Sequence, residues 1–273
     1  MRFGLDIAQQ RMAWTENVAR VRFAETLGFD GVWGFDHFQP MYGDGPGECF
    51  EGMTTLAAWA GQTETVRLGL LVTGMTYRHP SVFAAEAITV DHASGGRLEL
   101  SYGAAWFEGE HRALGIPFPD LKSRVDAFEE AVQVVRGLLT TDDFTFEGRY
   151  YSTAGATLHP RPVQTPHPPI WIGASGERRM MPIAARYADV WHSYGPPEMM
   201  REKSARLSRM ALEVGRDPIE ITRASSLSLE DDPDVIARNI DEWTDAGFDY
   251  LVCGWPAGGR AQVAAFASRF LSP

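Results

Sequence analysis

Asp36-His37 is the residue pair in this chain best suited to moving a proton. Histidine titrates ordinarily nearest to neutrality, and a positioned imidazole is the commonest general acid or base. The pair directly follows a short apolar run, residues 31–35 (GVWGF), so it stands where a strand ends. Adjacent residues there point in different directions, one into a barrel or sheet mouth and one aside. A purely structural reading competes, with Asp36 capping the next segment and His37 bonding a loop carbonyl. The second candidate is Gly173-Ala174-Ser175-Gly176. It follows a short apolar strand and turns sharply enough to expose backbone N–H groups. A helix is expected directly behind it, with Glu177 in the first turn, where the dipole favours a carboxylate. A helix N-terminus behind a glycine turn can hold an anion. Many strand-to-helix turns contain two glycines, so a loop without a ligand is equally consistent.

Other chemistries are less well supplied. Asp6, Asp36, His37 and His192 could provide four metal ligands. However, no His-x-His follows the first strand and no Lys or His ends the seventh, so no metal site is expected. There is no Gly-x-Ser-x-Gly elbow, and Cys49 and Cys253 have no neighbouring base, which leaves nucleophilic catalysis unsupported. His92 reads as a helix-end residue. His159 and His167 lie in a connector, residues 159–169, that holds five prolines.

The elements that must position these residues follow from periodicity. Residues 2–7 form a first strand. Trp14, Val18, Val21, Ala24 and Leu27 recur at helical spacing, and Gly28 stops that helix. After residues 31–35, a Gly- and Pro-rich loop (41–50) leads to a helix over 51–63. Residues 67–73 (RLGLLVT) are nearly continuous in apolar character, as a buried parallel strand should be. Pro80 suits the start of a helix, which runs to about residue 92 before Gly95-Gly96. A fourth strand (97–102) leads into a long loop (103–119). Leu121, Val125, Phe128, Val132, Val135 and Leu139 mark the longest amphipathic helix. Residues 144–158 read as a hairpin around Glu147-Gly148. Strands at 170–173, 189–193, 219–224 and 249–253 then alternate with helices at 198–214 and 233–246 and a last helix carrying Val263, Phe266 and Phe270.

Eight strands alternating with eight helical segments predict a parallel sheet closed into a (β/α)8 TIM barrel, an α/β fold. A doubly wound open sheet is the alternative. It is disfavoured because no Gly-x-Gly-x-x-Gly follows the first strand. The expectation is one barrel domain over residues 1–273, with loop insertions around 103–119 and 144–168. Active sites in such barrels lie at the carboxyl ends of the strands. That draws attention to Asp6, Asp36, His37, Thr73, Gly74, Gly103, Trp106, the 173–176 turn, His192 and Cys253.

Composition narrows the partners. The net charge of -11 and isoelectric point near 5.1 exclude an extended basic face, so neither nucleic acid nor an anionic membrane surface is expected. Two cysteines imply no disulfide framework. No apolar run approaches the roughly 18 residues of a membrane span, and no signal-peptide core is visible. The expectation is a cytoplasmic protein acting on a small molecule.

Three stretches then coincide: AETLGFDGVWGFDHF, RLGLLVTGMTYRHPSVFAAEAITVDHASGGRLELSYGAAWFEGEHRALGIPFP and PPIWIGASGERRMMPIAARYADVWH. Together, in this order, they resemble the luciferase-like monooxygenase superfamily, and most of all its coenzyme F420-dependent oxidoreductase branch. The resemblance spans nearly the whole chain. It implies a bacterial-luciferase-like barrel that holds a deazaflavin or flavin, hydride transfer at the ring, and a homodimer. It implies that His37 lies by the reactive ring carbon as proton donor or stabiliser, with Asp36 beside it. Thr73 and Gly74 would end the third strand, and Leu71–Val72 would occupy the place of a non-prolyl cis bulge against one ring face. Gly103, with Gly173, Ala174, Ser175 and Gly176, would line the cofactor site, the last four gripping its phosphate through N–H groups. His192 and Ser193 would lie nearby.

The chain also departs from relatives that oxidise sugar phosphates. Those have a tryptophan at the place of Met41 and a glutamate at the place of Trp106. They also use lysines for the substrate phosphate, whereas Lys122 and Lys203 are the only lysines here and neither matches. Sugar-phosphate oxidation is therefore not expected. Met41 and Trp106 are assigned to the substrate pocket, Trp106 as an aromatic wall suited to an apolar or planar substrate; loop packing is its competing role. His79 and His111 are expected to hold loops. Glu51 could face the pocket or stabilise a helix start. Three functions follow: an F420-dependent oxidoreductase of a small organic substrate, an FMN-dependent monooxygenase on the same barrel, and a cofactor-binding protein without catalysis. The chain is near the minimum length for the barrel, which disfavours the second.

Overall fold

Short strands that are apolar on both faces must be covered on both, inside by a barrel interior and outside by helices. The computed structural model describes residues 1–271 and has this arrangement. The elements run β1 (Arg2–Asp6), α1 (Trp14–Thr26), β2 (Gly31–Gly34), α2 (Gly52–Ala60), β3 (Arg67–Leu70), α3 (Pro80–Ser94), β4 (Leu98–Tyr102), α4 (Glu108–Leu114) and α5 (Leu121–Thr140). There follow β5 (Phe144–Glu147), β6 (Ser152–Ala156), β7 (Ile170–Gly173), α6 (Met180–Tyr187), β8 (Val190–His192), α7 (Pro197–Glu213), β9 (Thr222–Leu227), α8 (Pro233–Asp245), β10 (Tyr250–Gly254) and α9 (Gly259–Phe270). Eight parallel strands close in the order β1-β10-β9-β8-β7-β4-β3-β2, while β5 and β6 pair only with each other, antiparallel. The TIM barrel expected from the sequence is borne out.

Two apolar cores result. The larger lies between strands and helices. The smaller fills the barrel itself with Trp33, Trp171, Val190, Ala224, Tyr250 and Val252. The Trp33 and Trp171 ring centroids are 4.2 Å apart, and the Trp33 indole N–H donates to the Tyr250 hydroxyl at 3.3 Å. Three large rings fit only because the strands on either side of β2 carry glycine: a Cβ at Gly4 or Gly69 would collide with the Trp33 ring. These rings fill the barrel interior, and the main cavity lies at the carboxyl ends of the strands.

Four local expectations are corrected. The third strand ends at Leu70 rather than residue 73, because the Leu71–Val72 peptide is cis and carries the chain out of the ladder. Pairing resumes at Gly74, which bridges Gly103. The 103–119 segment is not all loop: it contains α4, closed by Gly115 in the left-handed region (φ 69°). A 3-10 turn (Pro218–Glu220) precedes β9, which starts at Thr222. Finally, α6 starts at Met180, so Glu177 lies in the turn before it and pairs with Arg206. Among the described residues no helix is long and apolar enough to cross a membrane.

Candidate active site

At the strand ends lies an open cavity of about 310 Å³. Its wall includes Asp36, His37, Leu71, Val72, Gly74 and Gly103, and across the mouth Trp106, Gly173, Ala174, Ser175 and His192. Eleven of the fourteen residues assigned from the sequence therefore meet in one place. Thr73, Met41 and Gly176 do not line it. Thr73 is buried, and its carbonyl accepts from Gly103 N at 2.9 Å, stitching β3 to β4. Met41 is held by its backbone, whose N–H donates to the Gln10 side chain at 2.6 Å. Gly176 sits at the edge of the turn, and its carbonyl receives the Met181 N–H at 3.0 Å.

The floor is shaped by Val72. A Cβ on Gly103 would stand 2.6 Å from Val72 Cγ2, and one on Gly173 3.2 Å from both Val72 methyls. These glycines are small because the bulged valine lies over them. Gly173 thus has a packing reason beside the anion-binding reason expected of its turn.

At the end of β2 the paired residues separate in role. Asp36 is 2% exposed. Its carboxylate accepts two Arg78 N–H groups, at 2.6 and 3.0 Å, and the Gly74 N–H at 3.0 Å. Burial pushes the Asp36 carboxyl up, while Arg78 and the Gly74 N–H pull against that rise. Arg78 also pairs with Glu51 and with Glu86, the latter at 3.2 Å. Glu51 in turn caps α2, accepting from Met53 N and Thr54 N. Both oxygens of Asp36 are therefore engaged in holding the β3 bulge to β2, and Glu51 has the helix-start role rather than a pocket role.

His37 remains free to act. Its Nδ1 lies 3.1 Å from Glu110 Oε1, and the ring is hemmed by Phe35, Trp106 and Phe107 at centroid distances of 5.6, 5.9 and 6.1 Å. Glu110, on α4, is fully buried. It also receives Phe38 N at 2.6 Å, Gln39 N at 2.9 Å and the Tyr77 hydroxyl at 2.7 Å. Burial opposes its ionisation, but the Tyr77, Phe38 and His37 donors outweigh burial and hold the carboxyl below its ordinary value. An ionised Glu110 can only accept, so the contact calls for a proton on His37 Nδ1. No described residue bonds the other nitrogen, Nε2, and His37 lines the cavity.

Sequence reading missed Glu110, Tyr77 and Arg78. Glu110 lay inside a segment read as loop, next to His111. The available signal was a short acidic start (Glu108, Glu110) before Gly115, which marks a helix. His111 itself has the loop-holding role expected: fully buried, it bonds Thr76 Oγ1 at 2.6 Å and the Phe107 carbonyl at 2.8 Å. His79 caps α3.

At the other end of the cavity, Ala174 N donates to the His192 carbonyl at 3.0 Å, and the Ser175 and Ser193 hydroxyls meet at 2.9 Å. Among the described residues no protein acceptor takes the N–H of Ser175 or Gly176. Lys203 Nζ approaches the Ser175 carbonyl at 3.5 Å. His192 lies in the wall with Nε2 3.4 Å from Ser226 Oγ, and burial pushes it down to about 4, so it is neutral. Cys49 offers no thiolate, because burial pushes its thiol up to about 12.

Fold and cavity define a (β/α)8 barrel that presents a large ligand with a histidine–glutamate pair at one end and free backbone N–H groups at the other. The chain belongs to the luciferase-like monooxygenase family, whose model matches residues 1–265. It is 29% identical over 326 aligned positions, spanning 99% of this chain and 95% of the relative, to the F420-dependent glucose-6-phosphate dehydrogenase of Beutenbergia cavernae. It is 28% identical over 257 positions, spanning 88% of this chain and 70% of the relative, to the FMNH(2)-dependent dimethylsulfone monooxygenase of Pseudomonas putida. Among solved structures, an F420-dependent secondary alcohol dehydrogenase in complex with an F420-acetone adduct shares the fold, with a TM-score of 0.86, 19% identity, and coverage of 98% of this chain and 97% of that one. The resemblance read from the sequence is borne out at the level of family and fold.

Proposed function

We propose that this protein is an F420-dependent oxidoreductase that exchanges a hydride with a small organic substrate. The observation that carries the reading is His37: its Nδ1 faces buried Glu110, no described residue bonds its second nitrogen, and it shares the cavity with the apolar Leu71–Val72 floor. When bound, the deazaflavin supplies a two-electron hydride acceptor or donor.

The residues fit such a group. Leu71 and Val72 offer an apolar floor for a planar ring. The unclaimed N–H groups of Ser175 and Gly176, with Lys203 beside them, suit the anionic tail. Gly103 and Gly173 keep Val72 seated. His37 holds the proton that must leave or join the substrate oxygen as hydride leaves or joins carbon. Asp36 works through Arg78 and Gly74 to hold the bulge, and is a positioning residue. The Pseudomonas putida relative favours a second reading, an FMN-dependent monooxygenase on the same site. Calorimetric titration with F420 and with FMN separates the two. Tight FMN binding without F420 binding overturns the proposal, and binding of F420 that no alcohol or carbonyl compound can oxidise or reduce leaves only a carrier.

A further inference from the structure

The cavity wall carries large exposed apolar side chains. Trp106 beside His37, and Tyr194 and Leu121 elsewhere in the same wall, are 67%, 60% and 66% exposed. Exposed rings and an exposed leucine at one mouth form a patch that mixed surfaces avoid unless something covers it. Trp106 stands edge to face with the His37 ring, 5.9 Å away, so whatever meets His37 also meets Trp106.

Charge is distributed the other way. No lysine or arginine lines the cavity. Arg78 is spent on Asp36, Glu51 and Glu86. Arg11, below the 41–50 loop, donates to the Tyr42 carbonyl at 2.7 Å and to the Gly45 carbonyl. Lys203 and Arg206 lie at the far end, by Ser175 and Glu177. His192 is neutral. A phosphate dianion placed near His37 would face the Glu110 and Asp36 carboxylates with no unpaired cation in the cavity wall to offset them.

We infer that the substrate is an uncharged, apolar or aromatic alcohol or carbonyl compound, seated against His37 and Trp106, and that phosphorylated sugars are excluded. Its alcohol or carbonyl character rests on the proposed hydride transfer; its lack of charge and its apolar character rest on the wall alone. The B. cavernae relative is named for a sugar phosphate, so the inference separates this chain from it.

The test is saturation-transfer NMR on the protein loaded with whichever of F420 or FMN it binds, or on the free protein if it binds neither. The probes are acetophenone, benzyl alcohol and glucose 6-phosphate. The aromatic probes should receive saturation and the sugar phosphate none. Trp106→Ala, at an exposed position that keeps the fold, should weaken acetophenone binding about tenfold, in line with the loss of one aromatic contact. Binding of glucose 6-phosphate in preference to acetophenone, no binding of either aromatic probe, or affinity unmoved by Trp106→Ala overturns the inference. Absence of F420 binding counts against the proposed function and leaves this comparison readable.

Discussion

The two nitrogens of His37 have unequal surroundings, and that inequality underlies the proton-handling role proposed for it. Nδ1 faces the buried Glu110 carboxylate, while no described residue bonds Nε2 and the residue lines the cavity. His37→Ala should lower kcat about 10²- to 10⁴-fold, the usual worth of a general acid or base, with cofactor affinity unchanged by calorimetry. Glu110→Gln should act through His37. Nitrogen NMR of the wild type should show the proton on Nδ1, and the variant should show a mixture of tautomers. The variant should also lose about 2–4 kcal/mol of stability in urea, because buried donors from Phe38, Gln39 and Tyr77 lose a charged acceptor. A variant that keeps a single tautomer would remove Glu110 from this role.

The β3 bulge is the element on which the cavity floor depends, and its fit against β4 and β7 can be measured. Gly103→Ala puts a methyl 2.6 Å from Val72 Cγ2, which must shift. Overpacking of this kind costs about 1–3 kcal/mol. Adding Val72→Ala to that variant should return part of the loss, giving a coupling energy in a double-mutant cycle; strict additivity would refute the contact. The turn after β7 offers a cleaner probe of anion binding. A Cβ at Gly176 would meet nothing closer than Met180, 3.9 Å away, so Gly176→Asp should fold normally. Its carboxylate beside the free N–H groups should weaken F420 binding about tenfold, or ~1.4 kcal/mol. Unchanged affinity would place the cofactor's anionic tail elsewhere.

Across the whole molecule, two recessed groups titrate against each other under acid. His192 is pushed from 6.5 down to about 4 by burial, so the folded chain refuses a proton that the unfolded chain accepts. Acidifying from about pH 6.5 to 4 therefore favours unfolding, by up to ~3 kcal/mol. Asp6 is pushed from 3.8 up to about 6 by burial, against the Ala8 N–H that lowers it. Between about pH 6 and 4 the folded carboxyl holds a proton that the unfolded one has lost, so acidifying favours folding. The two slopes oppose over nearly the same interval. Relative to wild type, His192→Gln should gain stability on going from pH 7 to 4.5, and Asp6→Asn should lose it, by thermal midpoints at the two pH values. Equal pH dependence in all three proteins would contradict the burial of both groups.

What the sequence by itself determined is the part carried by local periodicity and by order along the chain. Alternation of strand and helix implied the barrel, because a parallel strand pair needs a crossover and eight strands so joined can close. Strand-end position then picked out Asp6, Asp36, His37, Thr73, Gly74, Gly103, Gly173, His192 and Cys253, since barrel strands end at the mouth; Asp6, Thr73 and Cys253 turn out not to line the cavity. Only the tertiary structure decided which of them are available for chemistry. Asp36 and His37 are neighbours with similar prospects in the sequence, yet Arg78, 42 residues away, occupies one and Glu110, 73 residues away, orients the other. Gly173 read as an anion turn, whereas Val72 from another strand gives it a packing reason as well. Such partnerships join residues far apart in the chain through burial and charge, quantities that no local spacing encodes and that exist only once the barrel has closed.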